Sequence, residues 1–152
     1  MNIRDFAEED LPSVMAIQGE CPQAAQWLAA DYTDTPGPLL LVAEVEVGAA
    51  SKVAGFAAFH QVLDEAELRN LAVAPEYRRR GVARALIDAA CHRLQQAGTK
   101  RVFLEVRASN QPALALYYSL GFALHSRRKN YYRDPDEDAY VLCLELSPPG
   151  PA

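Results

Sequence analysis

The stretch Asn70-Leu-Ala-Val-Ala-Pro-Glu-Tyr-Arg-Arg-Arg-Gly-Val-Ala-Arg-Ala-Leu86 passes from an apolar, strand-like run through a basic turn into a helix. Its centre, Arg78-Arg79-Arg80-Gly81-Val82-Ala83, is a glycine-containing basic turn that leads straight into a helix N-terminus. The first N–H groups of a helix have no intrahelical partner and carry about half a positive charge, so such a turn can receive a pyrophosphate. Gly81 removes the side chain where phosphate oxygens must come close to backbone, and the arginines add charge-assisted contacts. Neither a P-loop nor a dinucleotide fingerprint fits, because Gly-Lys-Ser/Thr and G-x-G-x-x-G are both missing. Taken alone, these residues are equally compatible with a basic loop ahead of an ordinary helix.

Working outward, apolar residues Val82, Leu86, Ala89, Ala90 and Leu94 fall at helical spacing from Arg80 to Ala97, and Gly98 is placed as a left-handed cap. Upstream, Leu39 to Val47, Lys52 to His60 and Glu65 to Val73 read as a three-stranded meander, with Gly48-Ala-Ala-Ser51 as the first loop. In the third strand Leu68, Asn70 and Ala72 alternate against Glu67, Arg69, Leu71 and Val73. Met1 to Phe6 is a further strand, Glu8 to Pro12 opens a helix with acidic residues in its first turn, and a second helix is expected over Gln23 to Tyr32. Downstream come a strand at Val102 to Arg107, a helix from Asn110 to Leu120 closed by Gly121, and strands at Phe122 to Tyr132 and Ala139 to Leu146. The order β-α-α-β-β-β-α-β-α-β-β describes an α/β (α+β) domain with one central, mixed but mostly antiparallel sheet flanked by helices. Residues 1–146 form this single domain, and 147–152, which lack an apolar period, are expected to be a disordered tail.

The 152 residues (16.7 kDa) are half hydrophobic and 23% charged, enough for one full core without disulfide or metal staples. The longest apolar run, Pro38 to Ala43, is far short of the ~20 residues that span a bilayer, and Arg4, Asp5 and Glu8 occupy what would be the apolar part of a signal peptide. A cytoplasmic protein without membrane association is expected. Cys21, Cys91 and Cys143 are odd in number and show no CxxC spacing, so they read as inert thiols, and no metal is expected. A net charge of −5 and a pI near 5.2 argue against nucleic acid as a direct partner and permit a basic substrate.

The segment Asn70 to Leu86 resembles the signature of the GCN5-related N-acetyltransferases (GNAT), Arg/Gln-x-x-Gly-x-Gly/Ala after a Leu-Ala-Val strand end. Leu104 to Asn110, Ala115 to Phe122 and Arg128 to Tyr132 look like the RimI-type branch, which acetylates the N-terminal alanine of ribosomal proteins. The resemblance covers Val62 to Leu146 and fades before Val62. It implies that the backbone of Leu71, Ala72 and Val73 pairs with the pantetheine arm of acetyl-CoA. Arg78, Arg79, Arg80, Gly81, Val82 and Ala83 would hold the pyrophosphate, with Ala83 in place of the commoner second glycine. One departure bears on substrate identity. Where the branch carries a contiguous Phe-Pro-Trp-Ser bordering the acceptor, this chain has Cys21-Pro22-Gln23-Ala24, with Trp27 displaced.

Acetyl transfer to an amine needs the neutral amine, and an α-amine with a pKa of about 7.7–8.0 is mostly protonated at neutral pH, so a base helps. Glu105, acidic within an otherwise apolar strand, is the candidate, and the resemblance assigns it that role. The bland alternative is an ion pair with Arg107, and Glu67 is the rival base. The leaving thiolate needs a proton, for which the resemblance offers Tyr117; the alternative is a core aromatic at helical spacing. Tyr118 points about 100° away and is structural. Asn110 fits a helix cap, and by resemblance also contacts the pantetheine. His60, His92 and His125 show no ligand spacing, and the acidic run Asp134 to Asp138 reads as a solvated loop able to attract a basic peptide. The expected activity is acetylation of a protein's N-terminal α-amine, that of a small-subunit ribosomal protein beginning with alanine. The alternatives are a small-molecule amine or lysine acetyltransferase, or a non-catalytic acyl-CoA-binding module.

Overall fold

The computed structural model describes residues 1–34 and 38–148. In chain order the elements are β1 (Asn2–Asp5), a 3₁₀ turn (Glu8–Asp10), α1 (Leu11–Gly19), α2 (Ala29–Thr33), β2 (Pro38–Val47), β3 (Ala50–Val62), β4 (Glu65–Val73), a 3₁₀ turn (Pro75–Tyr77), α3 (Val82–Gln96), β5 (Arg101–Arg107), α4 (Gln111–Ser119), β6 (Ala123–Tyr132) and β7 (Glu137–Glu145). The strands form one seven-stranded sheet ordered β1-β2-β3-β4-β5-β7-β6. Every neighbouring pair is antiparallel except β4 and β5, which α3 connects as a parallel crossover.

Two cores lie on the two faces. On one, α3 and α4 place Leu86, Ile87, Leu94, Leu114 and Tyr117 against Leu41, Phe59, Leu68, Leu104 and Leu142. On the other, α1 and α2 place Val14, Ile17 and Tyr32 against Leu40, Val42, Phe56 and Ala72. The glycine stops behave as their positions imply. Gly98 and Gly121 have φ of 89° and 98°, and the residues after them close the helices, Thr99 N–H onto the Leu94 carbonyl (2.9 Å) and Phe122 N–H onto that of Tyr117 (3.1 Å).

Three expectations change. The second helix is confined to Ala29–Thr33. Residues 21–28 are irregular because side chains take the bonds a helical ladder would use: the Gln26 amide donates to the carbonyls of Gln18, Cys21 and Ala24, and Asn70 occupies both backbone groups of Ala25. The first loop shrinks to a turn at Gly48 and Ala49, with Gly48 at φ 64°. The regular alternation read into β4 conceals a bulge. Ala58 faces Asn70 but Phe59 faces Leu68, so Arg69 is an extra residue. Before the bulge Leu68 packs on the α3 side; after it Ala72 packs on the α1 side and Leu71 and Val73 take over the α3 side. The expected tail lies outside the described residues from residue 149 on; Ser147 is held through its carbonyl by the Gln95 amide at 2.8 Å.

Candidate active site

The bulge in β4 coincides with the end of its pairing to β5. Glu65 to Leu68 pair with Arg101 to Leu104, whereas β4 continues to Val73 and β5 to Arg107 without pairing to each other. Bulges bend a strand and raise its twist. The result is a gap between β4 and β5, edged on one side by the backbone of Asn70 to Val73, whose other edge is bonded to Gly55 to Ala58 of β3. Backbone N–H and C=O groups left unpaired along such an edge need partners, so the edge suits an extended amide-containing chain.

Gly55 shapes this edge from beneath. A Cβ there would stand 2.8 Å from the Ala72 carbonyl oxygen, 3.1 Å from Val82 Cγ1 and 3.3 Å from Val73 Cα. Only a glycine lets β3, β4 and the start of α3 approach so closely. In sequence Gly55 reads as one apolar-run residue among several, and a strand-interior glycine is the signal that would have flagged it.

At the end of β4 the chain enters the basic turn. Arg79 (φ 63°) and Gly81 (φ 77°) both take the left-handed conformation, which turns backbone N–H groups into a concave nest ahead of α3. Gly81 is the α3 N-cap, and a Cβ placed on it would meet nothing within 4 Å. The space in front of the helix N-terminus is therefore open, as an anion there requires. The three arginines differ. Arg78 is exposed, its Nε donating to the Val73 carbonyl at 3.4 Å and its Nη2 to Cys21 Sγ at 3.4 Å. Arg79 is exposed, and Arg80 leans on the Tyr77 ring at 5.6 Å. Val82 contributes its side chain to the core and Ala83 is half-buried, so both can offer only backbone to a ligand.

The two candidate proton carriers stand on opposite faces of the sheet. Tyr117, 8% exposed, belongs to the α3/α4 core and packs edge-on against Phe122 at 5.7 Å. Burial, with the neighbouring Tyr132, pushes its phenol up to about 12, so it stays protonated through the physiological range. Glu105 alternates with Leu104 and Val106 and therefore lies on the other face. Its ion-pair partner is not Arg107 but Arg128 on β6, at 3.4 Å, with the carboxylate 24% and the guanidinium 54% exposed. Hydrogen bonding to Glu105 also holds the Tyr131 phenol above its ordinary range, and the Glu67 charge adds to the shift. Glu67 lies on the same face, exposed and level with Phe103. Glu105 is the first β5 residue past the last pair, Leu68 with Leu104, and so lies where the two strands part.

Contacts among the ends of β5, β6 and β7 hold the corner that leads into α4. Arg107 stacks on the Tyr132 ring at 4.2 Å and pairs with Glu137 at 3.3 Å. Glu137 also accepts the Ser109 N–H at 2.7 Å, fixing the corner that leads into α4, while Asp138 accepts from Asn130 N–H (2.9 Å) and Arg127 (2.7 Å). Half of the acidic run is thus structural rather than a solvated loop. Asn110 caps α4, its Oδ1 accepting the Ala113 N–H at 3.3 Å. Cys21 and Cys143 are free thiols, as is Cys91, whose thiol burial pushes up to about 11. Among the described residues no group of His, Cys, Asp or Glu is arranged to hold a metal ion, and no helix is long and apolar enough to cross a membrane.

This architecture has known counterparts. The chain is 39% identical over 147 residues to the [Ribosomal protein bS18]-alanine N-acetyltransferase of Escherichia coli strain K12, covering 95% of this chain and 97% of the relative. It is 33% identical to the enzyme of the same name from Haemophilus ducreyi, over 95% and 99% of the two chains. The crystal structure of the ribosomal-protein-S18-alanine N-acetyltransferase from Escherichia coli superposes with a TM-score of 0.83 at 37% identity, covering 98% of this chain and 96% of that one. The pattern of the Acetyltransferase (GNAT) family matches residues 3–122, which include the bulged strand, the basic turn, α3, β5 and α4. The chain belongs to the GNAT family of acetyltransferases.

Proposed function

We propose that the protein transfers the acetyl group of acetyl-CoA to the N-terminal α-amine of a protein, its acceptor being a small-subunit ribosomal protein that begins with alanine. The observation that carries the reaction is the unpaired edge of β4 from Asn70 to Val73, which runs directly into an open, glycine-capped helix N-terminus. That sequence of features matches an extended amide arm followed by a pyrophosphate. The acceptor class is supported by the full-length relatives, which are named for bS18-alanine acetylation. Such a substrate is met in the cytoplasm, and the net charge of −5 favours approach of a basic protein.

Acetyl-CoA, when bound, supplies an acyl carbon activated by its bond to sulfur. Backbone groups of Leu71, Ala72 and Val73 hold the arm; N–H groups of Gly81, Val82 and Ala83, with Arg79 and Arg80, hold the pyrophosphate. Arg78, exposed in the same turn, adds its charge to that site, and Asn110 fixes the start of α4 beside the arm. Glu105 takes the proton that the acceptor amine gives up as its nitrogen bonds to the acyl carbon. Tyr117 gives its phenolic proton to the sulfur as the carbon–sulfur bond breaks, a transfer worth roughly 10²–10⁴-fold in rate. A phenol held at about 12 arrives at this step protonated.

The test is a thiol-release assay with three peptides of identical basic sequence: a free alanine N-terminus, a blocked N-terminus with an internal lysine, and a bulky first residue. The free alanine peptide should be acetylated fastest. Equal rates on the blocked peptide would reject N-terminal specificity.

A further inference from the structure

Asn70 is a polar residue only 3% exposed, placed by the bulge on the α1/α2 face at the point where β4 leaves β5. Its carboxamide is fully used. Oδ1 accepts the Ala25 N–H at 3.1 Å, and Nδ2 donates to the Ala25 carbonyl at 3.0 Å and to the Tyr32 hydroxyl at 2.9 Å. The Tyr32 hydroxyl in turn donates to Gln18 Oε1, and Gln18 Nε2 donates to the Trp27 carbonyl at 2.8 Å. One amide side chain therefore imitates a strand partner for Ala25, donating and accepting at the same residue, which aspartate, with acceptors only, cannot do.

A second tie holds the other end of the same segment, where Cys21 Sγ donates to the Val73 carbonyl at 3.3 Å. Residues 21–28 are thus bolted at two points to the half of β4 assigned to the cofactor, on the face that carries Glu105 and Glu67. The segment presents Leu28, 74% exposed, and the half-buried Trp27 ring, which rests on Tyr32 at 4.9 Å. Lacking a helical ladder, it owes its shape to these side-chain bonds.

We propose that Asn70 is a positioning residue for acceptor selection, setting where the wall formed by residues 21–28 stands relative to the cofactor strand and thereby which first residues of an acceptor fit. This rests on the acetyltransferase reading above. Asn70 itself touches neither amine nor thioester; it acts through Ala25 and Trp27. Asn70→Asp keeps size and shape but sets carboxylate oxygen against the Ala25 carbonyl, so the wall should release while Leu71 to Val73 stay paired to β3.

The experiment compares wild type with Asn70→Asp, and with Gln18→Leu, which cuts the Trp27 tie without substituting a β4 residue and carries the test should Asn70→Asp not fold. The readouts are kcat/KM for alanine-first and bulky-first peptides, KM for acetyl-CoA, and hydrogen exchange at Ala25. We expect the alanine-over-bulky ratio to fall on the order of ten-fold, KM for acetyl-CoA to stay within about two-fold of wild type, the size expected when no cofactor contact is lost, and Ala25 to lose protection. An unchanged ratio in a folded variant, or a rise in acetyl-CoA KM with the ratio intact, would overturn the proposal. Wild type failing to acetylate the alanine peptide would instead overturn the function on which it rests.

Discussion

The two halves of β4 have the same alternating texture in sequence and opposite fates in the fold. Glu65 to Leu68 are bonded on both edges, to β3 and β5, and serve as ordinary sheet interior. Asn70 to Val73 pair with a strand on one edge only, the Val73 carbonyl being met by Cys21 and Arg78 side chains, and Arg69 between the halves is the bulge. A single extra residue changes which faces the side chains occupy and frees one edge of the backbone. The proposed hold on the cofactor thus comes from interrupted pairing, and the proposed acceptor selection from the Asn70 carboxamide.

If the unpaired half is where chemistry occurs, the largest effect should come from Tyr117, the proposed proton donor. Tyr117→Phe removes a buried phenol without emptying the core, and kcat should fall by roughly 10²–10⁴-fold with little change in acetyl-CoA affinity. Stopped turnover assays with calorimetric titration would show this, and a variant as fast as wild type would return Tyr117 to a packing role beside Phe122.

The two carboxylates divide along the same line. Glu67 belongs to the paired half, and Glu105 lies on β5 one residue past the last paired position. Glu105→Gln should slow turnover by about 10²-fold, the lower range for a general base, with the deficit shrinking at high pH as the amine deprotonates unaided. Finding that profile in Glu67→Gln and not in Glu105→Gln would move the base to the paired half.

A milder perturbation is available beneath the free edge. Gly55→Ala puts a methyl group 2.8 Å from the Ala72 carbonyl, a contact that backbone must yield to. Overpacking of this kind costs about 1–3 kcal/mol, which lowers Tm by roughly 2–4 °C per kcal/mol in a chain of this size. Acetyl-CoA should restore less of that loss than it adds to wild type, since the distortion falls on its own strand. Equal stabilisation of both proteins would show that the free edge is not where the ligand lies.

The smallest effect separates the halves by pH. Backbone bonds of the paired half do not titrate in acid, but the corner leading into α4 depends on Glu137. The Ser109 bond, first among the contacts, and Arg107 hold the Glu137 carboxyl below the usual carboxylate range. A depressed folded-state pKa gives stability that is present above the unfolded value of about 4.3 and lost as pH falls through the folded one. Wild type should thus be more stable than Glu137→Gln at neutral pH, and the difference in Tm should shrink as pH falls below about 4.3 and be gone once it is below the lowered folded-state value. A constant difference across that range would remove Glu137 from the account.

Much of this was legible in the sequence. The helical period and the glycine caps of α3 and α4, the meander, and the basic turn before Val82 are local signals, and each is found where local chemistry puts it. What escaped was set by partners distant in sequence. The bulge at Arg69 is invisible because exposure continues to alternate through it, the register changing only against β3. Residues 23–28 look helical until Asn70, 45 residues away, takes the Ala25 backbone bonds. Glu105 has Arg107 as its near neighbour in sequence but meets Arg128 from β6, and Glu137 looks like one more solvated acid until it is seen holding Ser109.

The central claim, that acetyl-CoA lies along the unpaired half of β4, is tested most directly by hydrogen exchange with and without the ligand. Amides from Asn70 to Val73 and at Val82 and Ala83 should gain protection, while those from Glu65 to Leu68, already paired on both edges, should not change. Protection spread equally over both halves, or confined to residues outside β4 and the start of α3, would contradict it.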